Sequence, residues 1–269
     1  MKYHIIATIF VFLFLACSTD FNTDQKGIKY PPTEKSKPKT EDSKQKELKP
    51  KTEEELKKKQ EEEELKKKQQ LKNTLSNDLK KQIETANEHK EKYKKKMKEE
   101  PEDQYGVQAF KGLNWGPGTE DVSANTERSI RFRRHTYTIL STLSLHELKE
   151  FSNIVINENK LVPVVDMFNF FSSIGGALDT TTDSLYPKKD NLDKLDLSDL
   201  EKLKNSFEEI LSAKERVASG AMQLVRDYKN LKTDINKLKS YLNDLYNESE
   251  EQATKVENLE EFIVSKYKL

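Results

Sequence analysis

Residues 203–245 read LKNSFEEILSAKERVASGAMQLVRDYKNLKTDINKLKSYLNDL, and this stretch decides the fold. Its apolar side chains recur mostly in alternating steps of four and three: Leu203, Phe207, Ile210, Val217, Ala221, Leu224, Tyr228, Leu231, Ile235, Leu238, Leu242 and Leu245. This spacing is the heptad pattern of a coiled coil or of long helices in a bundle. The stretch therefore predicts long α-helices with one continuous apolar seam.

The same register continues toward the C-terminus through the polar residues Ser249 and Gln252 to Val256, Leu259 and Ile263. One long helix that bends near residues 248–251 and a helical hairpin at that point both fit the pattern. If the seam faces a second copy of the chain instead of its own body, it predicts a homodimer.

The middle of the chain also reads as helical. Ser144 and Glu147 have the spacing of a capping box, and Ser198 with Glu201 repeats it. Residues 161–178 are the most apolar stretch after the N-terminus, but they contain Pro163 and polar residues, which favours a core helix over a membrane span. Glycine and proline are scarce, at eight each, and no alternating strand pattern recurs. We predict an all-α fold, an elongated helical bundle whose body spans residues 71–269.

Two copies of the unit EEELKKKQ precede this body, at residues 53–60 and 62–69. Each glutamate stands four residues before a lysine, the favourable orientation for an ion pair along a helix. Residues 53–70 are therefore predicted to form a charged helical stalk that needs no core. Residues 17–52 contain few apolar residues and predict a disordered tether, because they cannot offset their ordering entropy by burial.

The N-terminus has the order of a signal peptide. Lys2 is followed by an apolar run at residues 5–15 and then by Leu15-Ala16-Cys17. The run is shorter than the ~20 residues of a membrane-spanning helix. We predict a signal peptide over residues 1–16 and a lipid, palmitate included, on Cys17, the only cysteine. Such a lipoprotein would be anchored in the outer membrane at the cell surface, and a periplasmic orientation also fits.

The sequence offers little for catalysis. His146-Glu147 lacks the second histidine of a zinc-protease helix, and His89 and His135 have no ligand pattern around them. There is no phosphate-binding loop and no serine elbow. We therefore predict a protein that is not an enzyme and has no catalytic residues, metal site or cofactor.

One basic cluster is unusual. Of six arginines in the chain, four fall within seven residues: Arg128, Arg131, Arg133 and Arg134. Lysines crowd the end of the preceding helix at Lys94, Lys95, Lys96 and Lys98. Guanidinium groups bind phosphate or sulfate in a bidentate manner, so these residues predict a nucleic-acid or polyanion site. The alternative is that the arginines pair with acidic residues of the middle segment.

The nearby tryptophan, Trp115, is the only one in the chain and lies among glycines. It either seats its loop on the body or forms an exposed contact.

The lipobox Leu15-Ala16-Cys17, the repeated Lys/Glu stalk and the helical body resemble the plasmid-encoded surface lipoproteins of Lyme disease Borrelia. The stretches Asn114-Trp115-Gly116-Pro117-Gly118 and Ser129-Ile130-Arg131-Phe132-Arg133-Arg134 are similar to paralogous family 12, and the Glu/Lys repeat also resembles the repetitive virulent-strain antigens. Family 12 membership implies a helical body and sequence-independent DNA binding without catalysis.

Two functions follow from these observations. The first is electrostatic binding of DNA or another polyanion through the arginine and lysine clusters. The second is a host-protein-binding adhesin or immune-evasion factor that uses an exposed helical face. The formal net charge of zero argues against a dedicated DNA binder, which is usually strongly basic. Salt dependence separates the two, because phosphate contacts weaken steeply as salt rises.

Overall fold

The computed structural model describes residues 53–113, 115 and 120–267. These residues form a helical bundle without β-strands. Six α-helices are present in the described ranges: α1 (Glu53–Lys98), α2 (Glu127–Ile139), α3 (Leu145–Asn157), α4 (Val164–Leu185), α5 (Leu197–Leu231) and α6 (Ile235–Lys266). Short 3-10 helices connect them at Gln104–Gly106, Gln108–Gly112, Leu140–Thr142 and Tyr186–Lys194. The all-α prediction is confirmed, while the predicted signal peptide, the tether and Cys17 lie outside the described residues.

Helix α1 joins the predicted stalk to the body without a break. Its 46 residues correspond to about 70 Å at 1.5 Å per residue. The described side chains of residues 54–71 are all exposed, including Leu56 and Leu65. Burial begins at Leu75 and is complete at Leu79 and Ile83. The first part of α1 is thus a solvated charged helix, and the second part packs an apolar stripe on the bundle.

The centre of the core is α4, the helix predicted from the most apolar stretch. Pro163 precedes its first turn, where a missing backbone N–H costs little. Met167, Phe168, Phe171 and Ile174 are fully buried, and α4 contacts α2, α5 and α6. In the described part of the chain, no helix has both the length and the hydropathy to cross a bilayer.

The C-terminal seam folds as a hairpin, but the turn is not near residues 248–251 as the sequence suggested. Helix α5 ends at Leu231, and α6 begins after Asp234, whose side chain accepts a hydrogen bond from the Lys237 amide. The sequence pattern did not predict this turn, because the heptad spacing continues in register from Leu231 to Ile235. Leu231 is therefore half-buried at a helix end, and Ile235 is exposed.

Ser249 and Gln252, the polar interruptions of the pattern, are buried inside a continuous α6. The Ser249 hydroxyl donates to the carbonyl of Leu245, so the buried polar group is satisfied within the helix. Most seam residues of α5 and α6 are buried within one chain, whereas Tyr228, Leu231 and Ile235 near the turn are not.

The helix caps follow the sequence at one site and depart from it at another. Ser144 and Glu147 form the predicted capping box at the start of α3. At α5 the cap is Asp196, which accepts a hydrogen bond from the Asp199 amide, and not Ser198. Asp196 precedes the first apolar residue of that helix, Leu197, and so holds the cap position.

Candidate polyanion-binding groove

The guanidinium group of Arg133 is buried on the inner side of α2. It makes three nitrogen to oxygen contacts of 2.6 to 3.1 Å with the carboxylate of Glu100. Its remaining nitrogen donates to the carbonyls of Val122 and Ala124 at 2.7 and 2.9 Å. The Tyr137 hydroxyl also donates to Glu100, and burial raises the pKa of Tyr137. Arg133 therefore holds the loop before α2 and is not available to a ligand.

Arg134 forms a second internal ion pair. Its Nη2 atom lies 2.5 Å from Asp179 Oδ2 on α4, and His135 Nε2 lies 3.3 Å from the same oxygen. Asp179 is buried, so this contact ties α2 to the central helix. Arg133 and Arg134 therefore pair with acidic residues of the same chain, which was the alternative to a polyanion site in the sequence analysis.

The other two arginines of α2 are exposed. Arg128 lies over the ring of Trp115, with its guanidinium carbon 3.8 Å from the ring centroid. Trp115 donates a hydrogen bond from Nε1 to Ser129 and packs edge-on against Phe132. Trp115 is thus packed on the body, which is one of the two alternatives that the sequence predicted. Arg131 is exposed and has no ion pair with any described residue.

The lysines at the end of α1 also differ from one another. Lys96 points inward, where its ammonium lies 4.7 to 5.3 Å from the ring centroids of Tyr93, Tyr105 and Tyr137. Burial lowers its pKa, although cation–π contacts with the three rings favour the charged form. Tyr105 reaches this position from a left-handed backbone conformation, with φ of 58°. Lys96 is therefore structural.

Lys94, Lys95 and Lys98 face the opposite way and line a groove with α2. We call this the basic groove; its volume is about 520 Å³, and it is lined by Glu91, Lys94, Lys95, Met97, Lys98, Asn125, Ile130 and Arg134. The lining contains four cationic side chains and one carboxylate. Within the described chain, Lys94 pairs with Glu91 at 2.7 Å, whereas Lys95 and Lys98 have no ion pair.

The structure thus brings together one part of each predicted cluster. Lys94, Lys95, Lys98 and Arg134 meet in the basic groove, Arg128 and Arg131 lie on exposed turns of α2, and Lys96 and Arg133 are internal. The sequence did not identify Asn125, Met97 and Ile130 as lining residues. Their position in the groove depends on how α2 packs against α1 in the folded chain. No group of histidines, cysteines or carboxylates in the described ranges could hold a metal ion.

Comparisons with known proteins place the chain in a family. The family model of the Borrelia Bbcrasp-1 domain containing protein matches residues 94–268, which is 175 of 269 residues. BSE31 of Borrelia (Borreliella) spielmanii is 46% identical, with a TM-score of 0.68, and the match covers 72% of this chain and 99% of BSE31. No curated protein matches the chain.

Two further solved structures share the fold at lower identity. The outer surface lipoprotein BBA64 of Borrelia burgdorferi is 22% identical, with a TM-score of 0.58, over 71% of this chain and 96% of its own. The outer surface protein BBA66 of the same species is 17% identical, with a TM-score of 0.58, over 71% and 99%. The resemblance to surface lipoproteins of Lyme disease Borrelia is confirmed. The chain belongs to the family of Borrelia Bbcrasp-1 domain containing proteins.

Proposed function

We propose that this protein is a lipid-anchored outer surface protein that binds a polyanion, such as duplex DNA or a sulfated polysaccharide, in the basic groove. The observation that supports this most directly is the lining of that groove, with four cationic side chains against the single carboxylate of Glu91. The protein acts by binding and performs no catalysis.

The groove cations are not equally available to a ligand. Lys94 forms an ion pair with Glu91, and Arg134 forms an ion pair with Asp179. Lys95 and Lys98 are exposed and have no ion pair with any described residue. A phosphate or sulfate group would therefore bind first to Lys95 and Lys98, and Asn125 offers an amide donor beside them.

This arrangement favours binding without sequence preference. Ammonium groups contact the phosphate backbone, which carries no direct sequence information. Because the whole chain has a net charge of zero, attraction is confined to a local patch and should be strongly reduced by salt.

The test replaces the two available lysines. Lys95→Glu with Lys98→Glu should abolish binding of duplex DNA and heparin at low salt by a soluble chain that begins at Glu53, since both contacts become repulsive. The matched control is Lys58→Glu with Lys66→Glu, which makes the same charge change on exposed lysines of the same helix. Equal loss in both variants would show that only net charge matters, and this would contradict a groove.

The competing function, a host-protein-binding adhesin, predicts a different outcome. The parent protein would then fail to bind polyanions at low salt and would bind a serum protein with weak salt dependence. Among the large apolar side chains that are exposed in the described body, Leu145 and Ile156 lie at opposite ends of α3 and Ile235 lies at the start of α6, so they do not identify a binding face.

The anchor is tested separately. Cys17→Ala should move the protein from the detergent phase to the aqueous phase, because acyl chains provide the membrane affinity. A Cys17→Ala protein that still partitions into detergent would refute the lipid anchor.

A further inference from the structure

A second groove lies between α1 and α5 and differs in chemistry from the basic groove. Its volume is about 270 Å³, slightly below the ~300 to 1,000 Å³ of most small-molecule pockets. The apolar part consists of Ala86, Leu178 and Leu211, from three different helices. His89 and Lys214 line the same groove from opposite helices. We call it the α1–α5 groove.

The two basic groups of this groove, His89 and Lys214, lie in an environment that disfavours their charged forms. Burial lowers the pKa of Lys214, and Glu215 is the carboxylate that opposes this effect. Burial also lowers the pKa of His89, and the charges of Lys214 and Lys92 lower it further. Neither group has an ion pair among the described residues. A half-buried ammonium beside a second basic group costs free energy that a bound anion would offset.

The remaining charges around the groove do not supply this anion. On α1, Lys81 and Lys92 add positive charge, and Glu88 is the carboxylate that acts on His89. On α5, Glu215 also lines the groove, but it is exposed to solvent and forms no ion pair with Lys214. From α4, the groove receives only the apolar side chain of Leu178.

An apolar hollow beside an ammonium group without an ion pair and an imidazole matches one class of molecule. A multivalent anion such as phosphate would gain nothing from the apolar lining of Ala86, Leu178 and Leu211. A neutral apolar molecule would leave Lys214 without a counter-charge. A short aliphatic chain with one carboxylate satisfies both parts. We propose that the α1–α5 groove binds a medium-chain fatty carboxylate, with its chain on Ala86, Leu178 and Leu211 and its carboxylate between His89 and Lys214.

Calorimetric titration of the full chain with octanoate tests this directly, with octanol as the neutral analogue. Octanoate should bind saturably, and octanol should bind at least about tenfold more weakly, because it cannot form the charge-assisted hydrogen bonds. Lys214→Gln should weaken octanoate binding by about the same factor. The matched control is Lys239→Gln, since Lys239 is an exposed lysine on α6, outside the groove.

A second measurement keeps the test independent of how the Lys214 variant folds. In the unaltered protein, saturating octanoate should raise the pKa of His89, followed by NMR of its imidazole signals, because the bound carboxylate stabilises the charged ring. Octanol should leave the His89 pKa unchanged. Equal affinity for octanol and octanoate, or a His89 pKa that does not move when octanoate is bound, would overturn the proposal, as would absence of octanoate binding.

Discussion

The Arg133 guanidinium group lies between one carboxylate and two backbone carbonyls, with a side-chain exposure of 3%. Its partner, Glu100, is 6% exposed. Removing one member of such a pair leaves a buried charge without its partner, which is more costly than never having buried the pair. The two residues therefore matter for stability and not for binding.

We expect Arg133→Met to lower the free energy of unfolding by about 3 to 5 kcal/mol, the usual cost of breaking a buried ion pair from one side. Arg131→Met is the control, since Arg131 is exposed on the same helix, and its effect should stay within about 0.5 kcal/mol. Urea unfolding of both variants measures the difference. Equal, small losses would mean that the Arg133 pair contributes no stability.

The contrast between these arginines also marks a limit of sequence reasoning. The chemistry of Arg133 and Arg131 is identical, and both stand in one basic run. The difference arises because Arg133 lies one turn before the inward-facing Tyr137, while the partner carboxylate, Glu100, is 33 residues earlier. No local pattern joins Glu100 to Arg133, so only the tertiary fold reveals their contact.

At the level of the elements, α2 and α4 approach closely at Gly175. A Cβ atom built on Gly175 would lie 2.5 Å from the backbone oxygen of His135, which cannot move aside like a flexible side chain. Gly175→Ala should therefore destabilise the protein by about 1 to 3 kcal/mol, the range for overpacking. Gly112→Ala is the control, because nothing lies within 4 Å of its Cβ position. Thermal unfolding that shows the two variants to be equally stable would contradict the close approach.

The α5 and α6 hairpin makes a different prediction for two leucines of the same heptad seam. Leu242 is fully buried, so Leu242→Asp should cost several kcal/mol by burying a carboxylate without a partner. Leu231→Asp should cost clearly less, because Leu231 is half-buried at the last turn of α5. Denaturant unfolding ranks the two variants. A reversed order would support one continuous helix through residues 231–235.

The elements were largely readable from the sequence, and their ends were not. Ser144 and Glu147 cap α3 as predicted, since the two partners are three residues apart in one turn. The turn at residues 232–234 escaped detection because Leu231 and Ile235 keep the seam spacing across it. A heptad pattern predicts which residues share a helix face, but it does not predict where one helix ends and the chain turns back.

For the whole molecule, the stalk and the body should be thermodynamically separable. Described side chains of residues 54–71 are exposed, so their removal takes away little apolar burial. A chain that begins at Leu71 should unfold with a free energy within about 0.5 kcal/mol of the chain that begins after the signal peptide, as for ordinary surface changes. A large fall in melting temperature would place the stalk within the folding unit.

The candidate site belongs to this scale too, because it forms where two helices meet. The sequence identified the lysines of α1 and the arginines of α2 as basic clusters, and half of those residues line the basic groove. Which members face the groove could not be read from the clusters. That choice depends on the ion pairs with Glu100 and Asp179 and on the tyrosines around Lys96.

The salt dependence of duplex DNA binding by the soluble body tests the central claim most directly. If Lys95 and Lys98 each neutralise a phosphate, the logarithm of the affinity should fall linearly with the logarithm of salt concentration, with a slope of about −1.8 or steeper. Lys95→Ala with Lys98→Ala should reduce the magnitude of that slope by about 0.9 per lost contact. Binding that does not change with salt, or an unaltered slope in the well-folded double variant, would contradict a polyanion site in the basic groove.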